Sequence, residues 1–197
     1  MHPIITVQSS LGRIGTAVVM ILATVLSVLF LVSDGIQTGW TALPFIWLIA
    51  DLFRLMWWVP RLVITESEII ARNMWSTIRI PWSLFGSANA NLGLILVTDD
   101  GDYRVSAAQP TPIRDTFNRE PRPLPFVDLS AKQLRFSLDT NQARELLTML
   151  REIHDETPAS VRNAAEALGA PAISRSPNIL EIAVIAVLAA LSVVVVL

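Results

Sequence analysis

The chain has 197 residues, 52% of them hydrophobic and only 16% charged, a balance too apolar for one ordinary soluble domain. A formal net charge of −2 gives no general attraction to nucleic acid or to anionic lipid, and nucleic acid is not expected as a partner. Cysteine is absent, which excludes disulfides, cysteine-ligated zinc, iron–sulfur clusters and thiol catalysis.

The apolar surplus is concentrated in Ile14–Ser33, Trp40–Val59 and Ile179–Leu197, and each run has the length a helix needs to cross a hydrocarbon core of roughly 30 Å. The first is uncharged between Arg13 and Asp34. Its length exceeds the h-region of a secretory signal and no small-x-small cleavage site precedes Asp34, so it is expected to be retained. The second carries Trp40 at one end and Trp57 and Trp58 at the other, as interfacial aromatic belts require. Within it Asp51 and Arg54 stand three residues apart on one helix face, where they can neutralise each other while facing another helix. An acid inside a span also raises a proton-relay or ion-site reading, for which Glu181 is the one further acid in the apolar runs. The third run opens with Asn178 and Glu181 in capping-box spacing and stays apolar to Leu197. Ala23-xxx-Ser27 and Ala186-xxx-Ala190 could admit close helix approach.

Basic residues flank the runs on one side only. Arg13 precedes the first, Arg61 and Arg72 follow the second, and Arg162 and Arg175 precede the third, whereas Asp34–Gly39 has none. The positive-inside rule then places the N-terminus and residues 60–177 in the cytoplasm of a multi-pass cell-membrane protein, with Leu197 outside.

From Arg61 the period shifts to two. The alternation predicts strands at Arg61–Glu66, Glu68–Met74, Thr77–Ser83, Leu92–Thr98, Asp102–Ala107, Phe126–Ser130 and Gln133–Leu138. A helix over Thr140–Glu156 follows, capped by Asp139 or Thr140, with Ala143, Leu146, Leu147, Leu150 and Ile153 as one apolar stripe. An antiparallel sheet with an apolar inner face must close or be covered, and one helix across a bent barrel does both. Ile78, Ile80, Trp82, Leu94, Leu96, Phe136 and Leu147 are expected to share its core. A short helix from Thr157-Pro158 to Leu168, lying on the domain or the membrane surface, and a linker at Ala172–Pro177 complete the region.

Leu62-Val63-Ile64-Thr65, Ile69-Ile70-Ala71-Arg72-Asn73, Thr77-Ile78-Arg79-Ile80-Pro81-Trp82 and Leu94-Ile95-Leu96-Val97-Thr98-Asp99-Asp100-Gly101 together resemble the bacterial PH-like (pleckstrin-homology-like) domains of many actinobacterial membrane proteins. The resemblance covers residues 61–108 and rests most on Pro81-Trp82 and the aspartate-glycine turn. It implies a membrane α-helical protein of three transmembrane helices plus a cytoplasmic PH-like β-barrel or sandwich of about seven strands capped by a C-terminal helix. The expected organisation is a transmembrane hairpin at 1–60, the PH-like domain at 61–157, a short helix and linker at 158–177, and a C-terminal transmembrane helix at 178–197. Two features depart from the family pattern. Residues 109–125 form an insertion with five prolines, read either as a flexible surface loop or as an extended arm docking on a partner through Arg114, Arg119, Arg122 and Pro123. The first hairpin turn is Glu66-Ser67-Glu68, whose acids oppose the phosphoinositide recognition that some PH domains perform there.

The remaining polar residues are not spaced as a catalytic or metal motif. Asp99-Asp100-Gly101-Asp102 lacks the spacing of an EF-hand loop and reads as a hairpin turn with Gly101 at positive φ. His2 and His154 have no second histidine at ligand spacing, and His154 reads as part of a solvated helix end. No cofactor or metal is expected, nor an enzyme. The expected role is a scaffold or accessory subunit that docks on other integral membrane proteins of a respiratory, secretion or cell-envelope complex. A lipid- or small-molecule-sensing regulator and an ion- or proton-handling protein centred on Asp51 are the rivals.

The absence of native cysteine makes the orientation directly testable. In intact cells a cysteine at Gln37 should react with a membrane-impermeant reagent and one at Ser87 should not; the reverse pattern would invert the topology.

Overall fold

A computed structural model describes residues 4–90, 93–108, 123–128, 131–167 and 172–196. In chain order the elements are β1 (Ile4–Val7), α1 (Ser10–Ser33), α2 (Ile36–Gly39), a 3-10 turn (Trp40–Ala42), α3 (Leu43–Trp57), β2 (Arg61–Ile64), β3 (Glu68–Arg72) and β4 (Ser76–Pro81). A second 3-10 turn (Trp82–Leu84) leads to β5 (Phe85–Asn89), β6 (Leu94–Thr98), β7 (Gly101–Val105) and β8 (Gln133–Phe136). They are followed by α4 (Thr140–Glu156), α5 (Ala159–Glu166), β9 (Ser174–Pro177) and α6 (Ile179–Val196). Two compact units result: Ser10–Val59 with Pro177–Leu197 is helical, and the segment through Ser9 with Pro60–Ser176 is sheet-rich.

In the helical unit, Ser10–Ser33, Trp40–Trp57 and Ile179–Val196 are long and apolar enough to cross a membrane. Helix α3 lies between the other two, touching both α1 and α6. The face that α1 buries carries Gly12, Thr16, Ala23 and Ser27, small residues that admit close packing. The hydroxyls of Thr16 and Ser27 donate to the carbonyls of Gly12 and Ala23 one turn back, at 2.9 and 2.7 Å, so burial leaves neither unsatisfied. Gly15 completes this surface, since a Cβ there would come within 2.8 Å of the Trp57 ring. On α6, Ala186 and Ala190 are exposed in the single chain, and the helix turns Glu181 and Ser192 inward.

The sheet-rich unit has a six-stranded sheet in the order β8-β1-β2-β3-β4-β9 and a three-stranded sheet β5-β6-β7. The register places Ile5 opposite Ile64, Ile64 opposite Ile69, Ile69 opposite Ile80, and Ala71 opposite Ile78, a continuous apolar inner face. Fully burying each of these larger aliphatic side chains is worth roughly 1.5–3 kcal/mol before entropy is charged against it. Helix α4 seals the core with Ala143, Leu146, Leu147 and Leu150. Its start is fixed by a capping box in which Asp139 accepts from the Gln142 amide and Gln142 accepts from the Asp139 amide. Gly101 has φ 137°, the positive angle the Asp99-Asp100 turn requires.

Several expectations for this region are corrected. Residues 4–7, assigned to no element, form β1 in the interior of the larger sheet, antiparallel to β2 and parallel to β8. Phe85–Asn89 and the expected linker residues Ser174–Pro177 are strands as well. The strand expected at Phe126–Ser130 is irregular over 126–128, with Phe126 90% exposed directly after Pro125. Residues 129 and 130 lie outside the described set. Helix α5 leaves Val161 and Ala164 exposed, so this pair does not lie against the domain.

Ile5 is 1% exposed and Ile4 43%. Ile5→Ala should therefore cost about 2–5 kcal/mol and Ile4→Ala far less. Thermal unfolding of the detergent-solubilised protein checks this, and equal melting of the two variants would mean that β1 contributes nothing to the core.

Candidate functional site

The most concentrated chemistry in the helical unit is a charge cluster. Arg54 Nε donates to Asp51 Oδ1 at 2.5 Å within α3, and Arg54 Nη2 donates to Glu181 Oε2 on α6. Asp51 is 7% and Glu181 5% exposed, with Arg54 half-buried between them. Two carboxylates thus share one guanidinium, and the second oxygen of Asp51 is buried with no hydrogen-bond partner. The expected pair is a three-group cluster, and the Glu181 carboxylate is committed to Arg54 across helices. A group of this kind contributes little net stability but makes the loss of its central cation expensive, because both buried acids would lose the guanidinium they share.

In the sheet-rich unit, Trp82 organises a second candidate site. Pro81-Trp82 ends β4 and turns the chain toward β5. The Trp82 indole N–H donates to the Thr65 carbonyl at 2.8 Å, which satisfies the one polar atom of a side chain only 3% exposed. Phe85 meets it edge-on at 5.6 Å, and His154 stacks on it at 5.4 Å with 22° between the planes. Arg151 lies over the Phe85 ring, 5.8 Å from its centroid. His154 is therefore half-buried against an indole and not part of a solvated helix end. Beside this stack is a cavity of about 30 Å³ lined by Ile5, Ile64, Thr65, Glu66, Trp82, Leu150, Ile153 and His154. That volume admits water and is small beside a typical ligand site.

Of the residues singled out in the sequence, Ile78, Ile80, Trp82, Leu94, Leu96 and Leu147 lie buried in one cluster, with Phe136 half-buried against it. Arg114, Arg119 and Arg122 lie outside the described residues. Pro123 is described, and its carbonyl accepts from Gln142 Nε2 at 3.0 Å, next to the cap of α4. No group of three or more histidine or acidic side chains placed to hold a metal occurs among the described residues. The chain matches no known family model, no curated protein and no solved structure.

The cluster geometry orders its own variants. Asp51→Asn leaves a balanced Arg54–Glu181 pair and should be the mildest change; Arg54→Gln should cost about 3–5 kcal/mol, and the triple change with Asp51→Asn and Glu181→Gln should recover much of that loss. Yield and thermal stability of the three variants in detergent test the order, and an Asp51→Asn defect as severe as that of Arg54→Gln would refute shared compensation.

Proposed function

We propose that this chain is a non-enzymatic, membrane-anchored accessory or scaffold subunit of a larger membrane protein complex, with a PH-like domain on its cytoplasmic side. The observation that carries this reading is the way the domain is attached. Strands β1, β2 and β9 join α1, α3 and α6 through connections of two, three and one residues, and all three strands belong to one sheet. A domain held this shortly cannot travel to a distant target, and it suits a fixed docking face. The helices supply the other half of the argument. Leu22, Val25 and Leu29 on α1 and Val187, Leu191 and Val194 on α6 are exposed in the single chain, leaving apolar surface for lipid or for the spans of other integral membrane proteins. A sheet extended from β2-β3-β4, a second three-stranded sheet and a sealing helix support reading the domain as PH-like.

The rivals fare less well on the same geometry. For a small-molecule sensor, the cavity beside Trp82 among the described residues is about 30 Å³, well below the several hundred Å³ of a typical ligand site. A proton path would need acids free to exchange protons along the spans, whereas Asp51 and Glu181 are both hydrogen-bonded to Arg54.

Purification in mild detergent should yield one stoichiometric complex with other integral membrane proteins. A small monodisperse species that retains only lipid would overturn the accessory role.

A further inference from the structure

The segment that leads toward β8 carries an apolar ridge that the accessory role leaves unassigned. Residues 123–128 belong to no regular element, and Pro123, Pro125 and Phe126 are exposed. Phe126, at 90%, is more exposed than any other large apolar side chain among the described residues, those of the apolar helices included. Leu124 and Val127, interleaved with the ridge, are half-buried against the domain core. The same six residues thus hold on to the domain with one set of side chains and present the other set outward.

The segment is tied as well as packed. The Pro123 carbonyl accepts from Gln142 Nε2 at 3.0 Å, and Gln142 is itself fixed in the capping box that starts α4. At the other end the Ala131 amide donates to the Asp128 carbonyl at 3.2 Å. The rings of Pro123 and Pro125 fix φ at about −65°, and Pro125 keeps Leu124 in the extended range. These are the preferences of a polyproline II strand, whose ordering entropy is largely spent before a partner arrives. A lone exposed phenylalanine needs no explanation, but one raised beside two exposed prolines on a backbone held at both ends is a preformed ligand.

We propose that Pro123, Pro125 and Phe126 form the docking ridge of the domain and seat in a groove lined by aromatic side chains on a protein subunit of the complex. The inference rests on the accessory reading and names the chemistry of the partner. Aromatic walls accept the flat faces of prolines without needing backbone donors, and a neighbouring phenylalanine fills a pocket as the anchor. Pairing of the ridge as an added strand fits less well, because its two prolines donate nothing to a ladder.

The full chain, purified in mild detergent from its own membranes, tests the ridge. Phe126→Ala should lower the fraction recovered in the stoichiometric complex at least about tenfold, as loss of an aromatic anchor does. Its melting temperature as a free chain should stay that of the wild type, since the side chain is 90% exposed. A photoreactive benzophenone side chain at position 126 should label an aromatic-rich peptide of one subunit of that complex, and the same group at position 87 should not. If the wild-type chain forms the complex and Phe126→Ala keeps it, this inference falls while the accessory role stands; a wild-type chain that forms no complex removes both. Labelling of lipid in place of protein would overturn the groove and assign the ridge to the bilayer.

Discussion

Strand β1 pairs with β2 between Ile5–Val7 and Leu62–Ile64, although the helical hairpin separates them in the chain. This pairing constrains the rest of the fold. Bringing two four-residue strands together across some fifty flexible residues would carry a substantial loop-closure cost. The hairpin removes most of it, because α1 and α3 pack antiparallel and Gly15, near the start of α1, lies against Trp57 at the end of α3. The chain therefore leaves β1 and re-enters β2 at neighbouring points, and an antiparallel ladder is the direct continuation. Strand β8 then adds parallel to β1, which makes the N-terminal segment an interior strand on which the sheet edge depends.

Legibility in the sequence follows the strength of the physical signal. The three apolar runs, the alternation in β2 to β4 and the stripe and cap of α4 each repeat a pattern over enough residues to stand out. Strand β1 has only four, flanked at once by the polar entry to a helix, and its burial comes from partners far along the chain. Strand β9 reads Ser174-Arg175-Ser176-Pro177, fully exposed, with no apolar period to detect. Phe126 shows the converse error: apolar residues just after a proline-rich stretch imitate a strand, but Phe126 is exposed and 126–128 are irregular.

Glu181 is the most instructive residue of the candidate site. Its spacing from Asn178 gives a sufficient local account as a cap, which hides its longer-range role. Counting from the helix ends would have exposed it: Arg54 is three residues from the end of α3 and Glu181 two from the start of α6, so antiparallel neighbours put them level. Asp51, one turn deeper on α3, then completes the three-group cluster. Depth matching of charged residues is thus a stronger guide inside apolar helices than spacing within either helix alone.

The arginines of the outer sheet face show why a net charge of −2 misleads when applied to a surface. At physiological ionic strength a charge is felt over about 8 Å, so an ion responds to the residues beside it and not to the total. Acids and bases on the outer face of β2 and β3 are segregated along the strands: Arg61 and Arg72 at one end, Glu66 in the turn and Glu68 at the other. The basic end is the one from which the chain continues into α1 and α3.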